Sequence, residues 1–214
     1  MVELEIEKSW NTLLKSYGVP TFAKKDILEP LFIKQIYLEP VLDAGCGTGF
    51  FSNLLAERGL DVISIDKNLD ETKLKVKRVV KVDIEKFDFK GKEIGDILLI
   101  NVLSCVESKK RIAILKNLKR IKSPASRIFV INTSEKIGRA DFKSEYIQVK
   151  KVASGVVHLI NKKIDNTFIE FDDYLIGSDE FLQYCDEVGL TILSKDELCF
   201  PTEKNAIFDF FVLR

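Results

Sequence analysis

Apolar positions divide the chain into three regimes. From residue 1 to 39 they recur every three or four places. Leu4, Trp10, Leu13, Leu14 and Tyr17 fall on one stripe of a predicted helix. Gly18 and Pro20 break it, and a second helix is predicted through "KKDILEPLFIKQIYL", residues 24–38. Pro40 closes that segment, because a residue before proline is pushed out of the helical region. From Val41 onward, short apolar runs alternate with helical patterns. "VLDAG", "DVISID", "VVKVD", "GDILLIN" and "SRIFVINTS" read as five buried strands. "GFFSNLLAERG" and "KKRIAILKNLKRIK" read as helices between them, the first with Phe50, Phe51, Leu54 and Leu55 inward. "NLDETKLKVK" reads as a short polar helix.

After Ser134 the rhythm changes. Residues 135–177 read as extended segments with a hairpin turn near "NKKID", too long for a plain connection. The alternation then resumes. "SDEFLQYCDEVG" is a predicted helix with Ser178 as N-cap, two acids in its first turn and Gly189 at its end. "LTILS" and "AIFDFFVLR" follow as strands with no room for a crossover helix, so they are expected to pair antiparallel. The pattern as a whole predicts an α/β fold, a doubly wound parallel sheet with helices on both faces.

Composition narrows the partners. Of 214 residues, 33 are Lys or Arg and 33 are Asp or Glu, so no net charge draws the chain to nucleic acid or an anionic membrane. No apolar run approaches the roughly 18 residues of a membrane span, and "MVELEIEKSW" lacks the apolar core of a signal peptide. Cys46, Cys105, Cys185 and Cys199 form no CxxC and have no histidine at metal-ligand spacing, which points to reduced thiols, a cytoplasmic setting and no metal site.

The chemistry concentrates at "VLDAGCGTGFFSNLLAERGLDVISID", residues 41–66. Gly45, Gly47 and Gly49 stand where the first strand turns into the first helix, so the backbone can turn tightly and approach a ligand. Asp66 ends the next strand, where a carboxylate can accept both hydroxyls of a ribose. The dinucleotide loop is G-x-G-x-x-G; here the spacing is G-x-G-x-G, with Phe50 in place of a third late glycine. Asp43, ahead of the loop, is poor company for a pyrophosphate and good company for a cation.

These residues resemble the first motif of class I S-adenosylmethionine-dependent methyltransferases, an acid followed by G-x-G-x-G. The resemblance runs over about residues 40–133 and 178–214. It implies a Rossmann-like seven-stranded sheet of order 3-2-1-4-5-7-6 with strand seven antiparallel, and S-adenosyl-L-methionine as cofactor. It implies that Asp43, Ala44, Gly45, Cys46, Gly47 and Gly49 line the methionine end, and that Asp66 with Lys67 holds the ribose. Asp83 and Ile84, in "VDIEKF", would meet the adenine; Asn101, Val102 and Leu103 would lie along the methionine and adenine ends. The chain then divides into an N-terminal helical cap (1–39), a cofactor-binding core (40–133), an inserted lid over the substrate (134–177) and a closing helix with two strands (178–214).

The donor sulfonium is already activated, so the protein mainly aligns a nucleophile and excludes water. No catalytic residue is therefore required by the resemblance. His158, in the insert, is the only histidine and has a suitable pKa for a base, against the plainer reading of a strand residue. Tyr146 and Tyr174 flank it. Tyr17, beside the Gly-Pro break, is the cap aromatic best placed to touch the cofactor; Trp10 and Phe22 are alternatives. Asp172 and Asp173 could share a hard cation only with further oxygen ligands, and "NVLSCVES" offers just Asn101 and Glu107. A small-molecule acceptor is expected. RNA or protein acceptors, and a non-catalytic cofactor-binding protein, remain open at this stage, as does the oligomeric state. The two basic stretches, residues 67–81 and 109–122, would be the surfaces an RNA used.

Overall fold

The computed structural model describes residues 33–69, 71–90, 93–139, 147–153, 155–162, 168–198 and 208–214. The strands are β1 (Val41–Ala44), β2 (Val62–Asp66), β3 (Arg78–Lys81), β4 (Ile97–Ile100), β5 (Ile128–Thr133), β6 (Ile147–Ala153), β7 (Val156–Lys162), β8 (Phe168–Tyr174), β9 (Ile192–Leu198) and β10 (Phe208–Leu213). The helices are α1 (Phe50–Glu57), α2 (Ser108–Ile121) and α3 (Ser178–Val188). Seven strands form one sheet in the order β3-β2-β1-β4-β5-β10-β9. β1 to β5 pair parallel; β10 pairs antiparallel with both β5 and β9. Counting only this sheet, β9 and β10 are its sixth and seventh strands, so the expected 3-2-1-4-5-7-6 order with an antiparallel seventh strand is the order found.

Strand alternation divides the core in two. Phe129 and Ile131 of β5, with Phe208 and Phe210 of β10, face the side where α1 buries Phe51, Leu54 and Leu55. Ile128 and Val130 of β5 and Phe211 of β10 face α2 and α3, whose Leu115, Leu118 and Phe181 complete that layer. The insert builds a sheet of its own, β6-β7-β8, all antiparallel. Val157 and Leu159 of β7 join the layer on the α1 side, so the insert is packed onto the domain. β7 ends at Lys162 and β8 begins at Phe168; the turn expected at "NKKID" lies, past Lys162, outside the described residues.

Three local expectations change. The helix predicted over 24–38 survives, among the described residues, only as a 3₁₀ turn at Ile33–Gln35. The wholly buried Asp96 takes the N–H groups of Tyr37 and Leu38 instead, and also receives Arg127 from both its backbone and its guanidinium. The polar helix at 68–77 is a 3₁₀ turn at Glu71–Lys73. There the Asn53 side chain donates to Lys73 O and accepts from Lys75 N, which takes those groups away from a helix ladder. Finally, the N-cap of α3 is Gly177 and Ser178 is the first helical residue; Gly189 closes the helix as expected. The N-terminal positions Trp10, Tyr17 and Phe22, and Tyr146 and Cys199, lie outside the described residues. Among the described residues no helix is long and apolar enough to cross a membrane.

Gly95, just ahead of β4, sits against the backbone of the segment entering β1. A Cβ there would lie 2.0 Å from Leu38 O and 2.4 Å from its carbonyl carbon. Backbone cannot step aside as a side-chain tip can. Gly95→Ala is expected to lower stability by about 1–3 kcal/mol or more, read as a lower urea midpoint at unchanged slope.

Candidate active site

The loop between β1 and α1 carries three left-handed glycines, Gly45, Gly47 and Gly49, with φ of 78°, 53° and 79°. Neither Gly45 nor Gly49 has room for a side chain: a Cβ at Gly49 would stand 2.1 Å from Leu74 Cδ2, and one at Gly45 2.4 Å from Val102 Cγ2 and 3.5 Å from Ile84 Cδ1. The same measurement shows that the segments after β1, β3 and β4 meet at one point on the carboxyl edge of the sheet. That edge, beside the reversal of strand order at β1 and β4, is where open parallel sheets bind ligands.

Asp66 ties the loop to β2. Its Oδ2 accepts from Gly47 N at 3.0 Å and its Oδ1 from Asn68 N at 2.7 Å. Each oxygen keeps a lone pair for a further donor. Asp43 is the opposite kind of acid. It is buried, and burial, its largest influence, pushes its carboxyl from 3.8 up to about 6, with the charge of Asp66 adding in the same direction. Ser52 Oγ donates to Asp43 Oδ2 at 2.5 Å, and Ser64 Oγ donates to Ser52 Oγ at 2.7 Å. Ser52 is a site residue that pattern reading missed. Its signal was there, a serine on the inward stripe of an otherwise apolar helix.

Ala44, the last residue of β1, and Cys46, in the loop, are buried, and burial drives the Cys46 thiol far above its ordinary range, so it is inert as a nucleophile. Asp83 precedes a 3₁₀ turn at Ile84–Lys86 and pairs with Lys86 at 3.6 Å; Ile84 is buried beside it. Lys67 follows Asp66 in the turn after β2. Asn101, directly after β4, holds a left-handed φ of 53° although it is not glycine, and its Oδ1 is buried with no hydrogen-bond partner. Strain of this kind persists where surroundings enforce it, and it gathers at ligand sites. Val102 lies over Gly45. Leu103 turns its side chain into the core toward α2, so only its backbone faces the loop.

His158 stands apart from this group. It lies on the face of β7 opposite Val157 and Leu159, and its two ring nitrogens meet Asp172 Oδ1 at 2.6 Å and Glu170 Oε2 at 3.1 Å. Burial alone would lower its pKa, but those two hydrogen bonds and charges raise it overall. Asp172 and Asp173 go to opposite faces of β8. Asp172 pairs with His158, whereas Asp173 is fully buried and accepts from Thr133 Oγ1 at the end of β5. They cannot share one ion.

A family model described as a methyltransferase domain matches residues 42–130, from β1 to β5. No curated protein matches the chain by sequence. Among solved structures, the CcbJ methyltransferase from Streptomyces caelestis aligns over 99% of this chain and 98% of its own, with a TM-score of 0.67 and 14% identity. An S-adenosylmethionine-dependent methyltransferase from Clostridium acetobutylicum aligns over 100% and 99%, with a TM-score of 0.63 and 13% identity. The glycopeptide N-methyltransferase MtfA aligns over 95% and 96%, with a TM-score of 0.66 and 13% identity. At such identities the likeness is one of fold. With the family model on β1 to β5 and the strand order and antiparallel last strand around it, the chain has the fold of the class I S-adenosylmethionine-dependent methyltransferases, and its residues 42–130 are similar to a methyltransferase domain.

Proposed function

We propose that the protein transfers a methyl group from S-adenosylmethionine to a small-molecule acceptor. The observation that carries this reading is the convergence of an acid-preceded glycine loop, Asp66 and Asn101 on one point of the sheet edge. The residues fit the cofactor. Gly45, Gly47 and Gly49 leave backbone open to the methionine moiety, and the buried Asp43 sets a negative potential beneath it. Asp66 takes the ribose hydroxyls, and Asp83 with Ile84 the adenine. The orphan Asn101 Oδ1 accepts an N–H from the ligand. When bound, the sulfonium supplies an activated methyl group; the chain's residues hold and orient it and exclude water. MtfA, of the same fold, has been crystallised with S-adenosylhomocysteine and with S-adenosylmethionine.

A small acceptor is favoured over RNA by how the basic side chains are used. On α2, Lys116 pairs with Glu187 and Arg120 with Asp88, and Lys119 Nζ donates to the carbonyls of Val188 and Gly189. Lys75 pairs with Glu57. These charges are engaged within the protein, in contrast to a basic stripe laid out for phosphates. Another solved relative in fold methylates 1,6-didemethyltoxoflavin, a small molecule.

Calorimetric titration with S-adenosylhomocysteine, with NAD in a parallel cell, tests the proposal. Micromolar binding of the first alone supports it; binding of NAD alone transfers the protein to another class. Asp66→Ala is expected to weaken S-adenosylhomocysteine by about 1–3 kcal/mol, the worth of charge-assisted hydrogen bonds. Unchanged affinity would remove Asp66 from the ribose.

A further inference from the structure

One face of the insert carries charges of alternating sign. His158 stands on the central strand β7, and its neighbours Val157 and Leu159 point the other way, into the layer on the α1 side of the main sheet. On β8, Asp172 is the register partner of His158, and Glu170, the next on that face, is the partner of Ile160. His158 Nδ1 lies 2.6 Å from Asp172 Oδ1, and Nε2 lies 3.1 Å from Glu170 Oε2. From β6, Lys150 Nζ donates to the same Glu170 oxygen at 3.1 Å, and Lys151 is the register partner of His158.

An ionised carboxylate offers no proton, and a neutral imidazole has only one N–H. The two contacts together therefore require hydrogen on both ring nitrogens, which is the imidazolium. Removing one proton leaves a nitrogen lone pair against a carboxylate, and that contact turns from attractive to repulsive. Side chains of His158, Glu170 and Asp172 are all partly open to water, so the ring exchanges its proton without the strands parting.

We infer that the insert carries a proton-operated latch: as the imidazolium, His158 ties β7 to β8 at two points, and as the neutral ring it holds one and repels the other. The inference goes beyond methyl transfer and stands without it. The longer contact, to Glu170, is the one that yields, since Lys150 remains to hold that acid. Loosening thus falls toward the Phe168 end of β8, whereas the Tyr174 ring at the other end lies against Arg111. Because β7 also seats the insert on the domain through Val157 and Leu159, protonation of one ring bears on how firmly the insert is held. Burial, the largest influence, lowers the ring's pKa, but the hydrogen bonds and charges of Asp172 and Glu170 outweigh it, so the folded value lies above the ordinary 6.5. The stability that the latch lends is present in full below 6.5 and is lost as pH rises through that folded value.

His158 is the only histidine, so its Cε1–H proton resonance reports the latch alone in the intact protein. Its midpoint should lie above 6.5, and Asp172→Asn and Glu170→Gln should each lower it. Backbone amide resonances of residues 168–172 should shift with the same midpoint and lose that step in His158→Gln. Amide exchange along β7 and β8, compared between His158→Gln and wild type at each pH, should be about two- to fivefold faster in the variant on the acid side of the midpoint, the worth of exposed charge pairs. On the alkaline side the two proteins should exchange equally. A wild-type midpoint at or below 6.5, a β8 step that survives in His158→Gln, or an exchange ratio that does not change with pH would each overturn the latch. Affinity for S-adenosylhomocysteine enters none of these outcomes, so the latch and the cofactor assignment fail separately.

Discussion

Arg111→Met should destabilise the protein by about 3–5 kcal/mol, a fall in melting temperature on the order of 10 °C. Arg111 is a nearly fully buried cation at the start of α2. Its Nε donates to the carbonyls of Leu103 and Val106, each at 2.9 Å. Its Nη1 reaches Glu180 at 3.0 Å and Tyr184 Oη at 3.4 Å on α3, and its guanidinium lies 5.1 Å from the centre of the Tyr174 ring. One side chain thus fastens the loop after β4, helix α3 and the end of the insert. Methionine fills the volume but takes the donor from two carbonyls, while Glu180 keeps the Tyr184 hydroxyl, and a carbonyl left without its donor loses more than a hydrogen bond is worth. Arg111→Lys should recover only part, because a point charge on a flexible stem cannot serve three directions at once. Amide exchange should show β8 and residues 101–106 losing protection together in Arg111→Met. Loss confined to α2 would mean that the contacts to loop and insert carry little.

Arg111 also marks the limit of what pattern could reveal. Written out in "KKRIAILKNLKRIK", it is one basic residue among seven in an amphipathic stretch, and nothing local distinguishes it from Lys110 or Arg120. Its partners stand up to 73 residues away. Asp96 is the same case from the acid side, hidden in "GDILLIN" and accepting from the backbone of Tyr37 and Leu38, far ahead of it in the chain. The glycine loop was legible because its constraint is local: a tight turn after an apolar strand demands glycine at fixed spacing, whatever packs around it. The alternation of short apolar runs with helical patterns made the parallel α/β sheet legible, whereas its strand order was expected from the resemblance to the methyltransferases. The pair Asp172 and Asp173 is instructive in a different way. Read as composition it suggested a shared cation; read with the period of two that its own flanks impose, it places the residues on opposite faces. The sequence contained that answer once "FIEFDDY" was taken as a strand.

Asp43→Asn should make the protein more stable at pH 8 and poorer at binding S-adenosylhomocysteine. Burial holds the Asp43 carboxyl at about 6 in the folded chain, against 3.8 when solvated. The folded state therefore keeps a proton that the unfolded state has released between those values, and stability falls as pH rises from about 4 to about 6. At about 1.4 kcal/mol per pH unit the loss is on the order of 3 kcal/mol, complete above pH 6 and absent below about pH 4. Asparagine still accepts from Ser52 and has no charge to bury, so its advantage over the wild type should open over that pH window and stay constant above it. A difference that is flat from pH 4 to 8 would mean that the Ser52–Ser64 hydroxyl chain already stabilises the charged acid. The functional half follows by linkage: a ligand with a cationic ammonium stabilises ionised Asp43 and lowers its pKa on binding. Wild-type affinity for S-adenosylhomocysteine should thus rise with pH through about 6, whereas that of Asp43→Asn should be about tenfold weaker at pH 8 and nearly pH-independent over the same range. An acid kept ionised in the core at a cost to folding is the signature of a group selected for the ligand it faces.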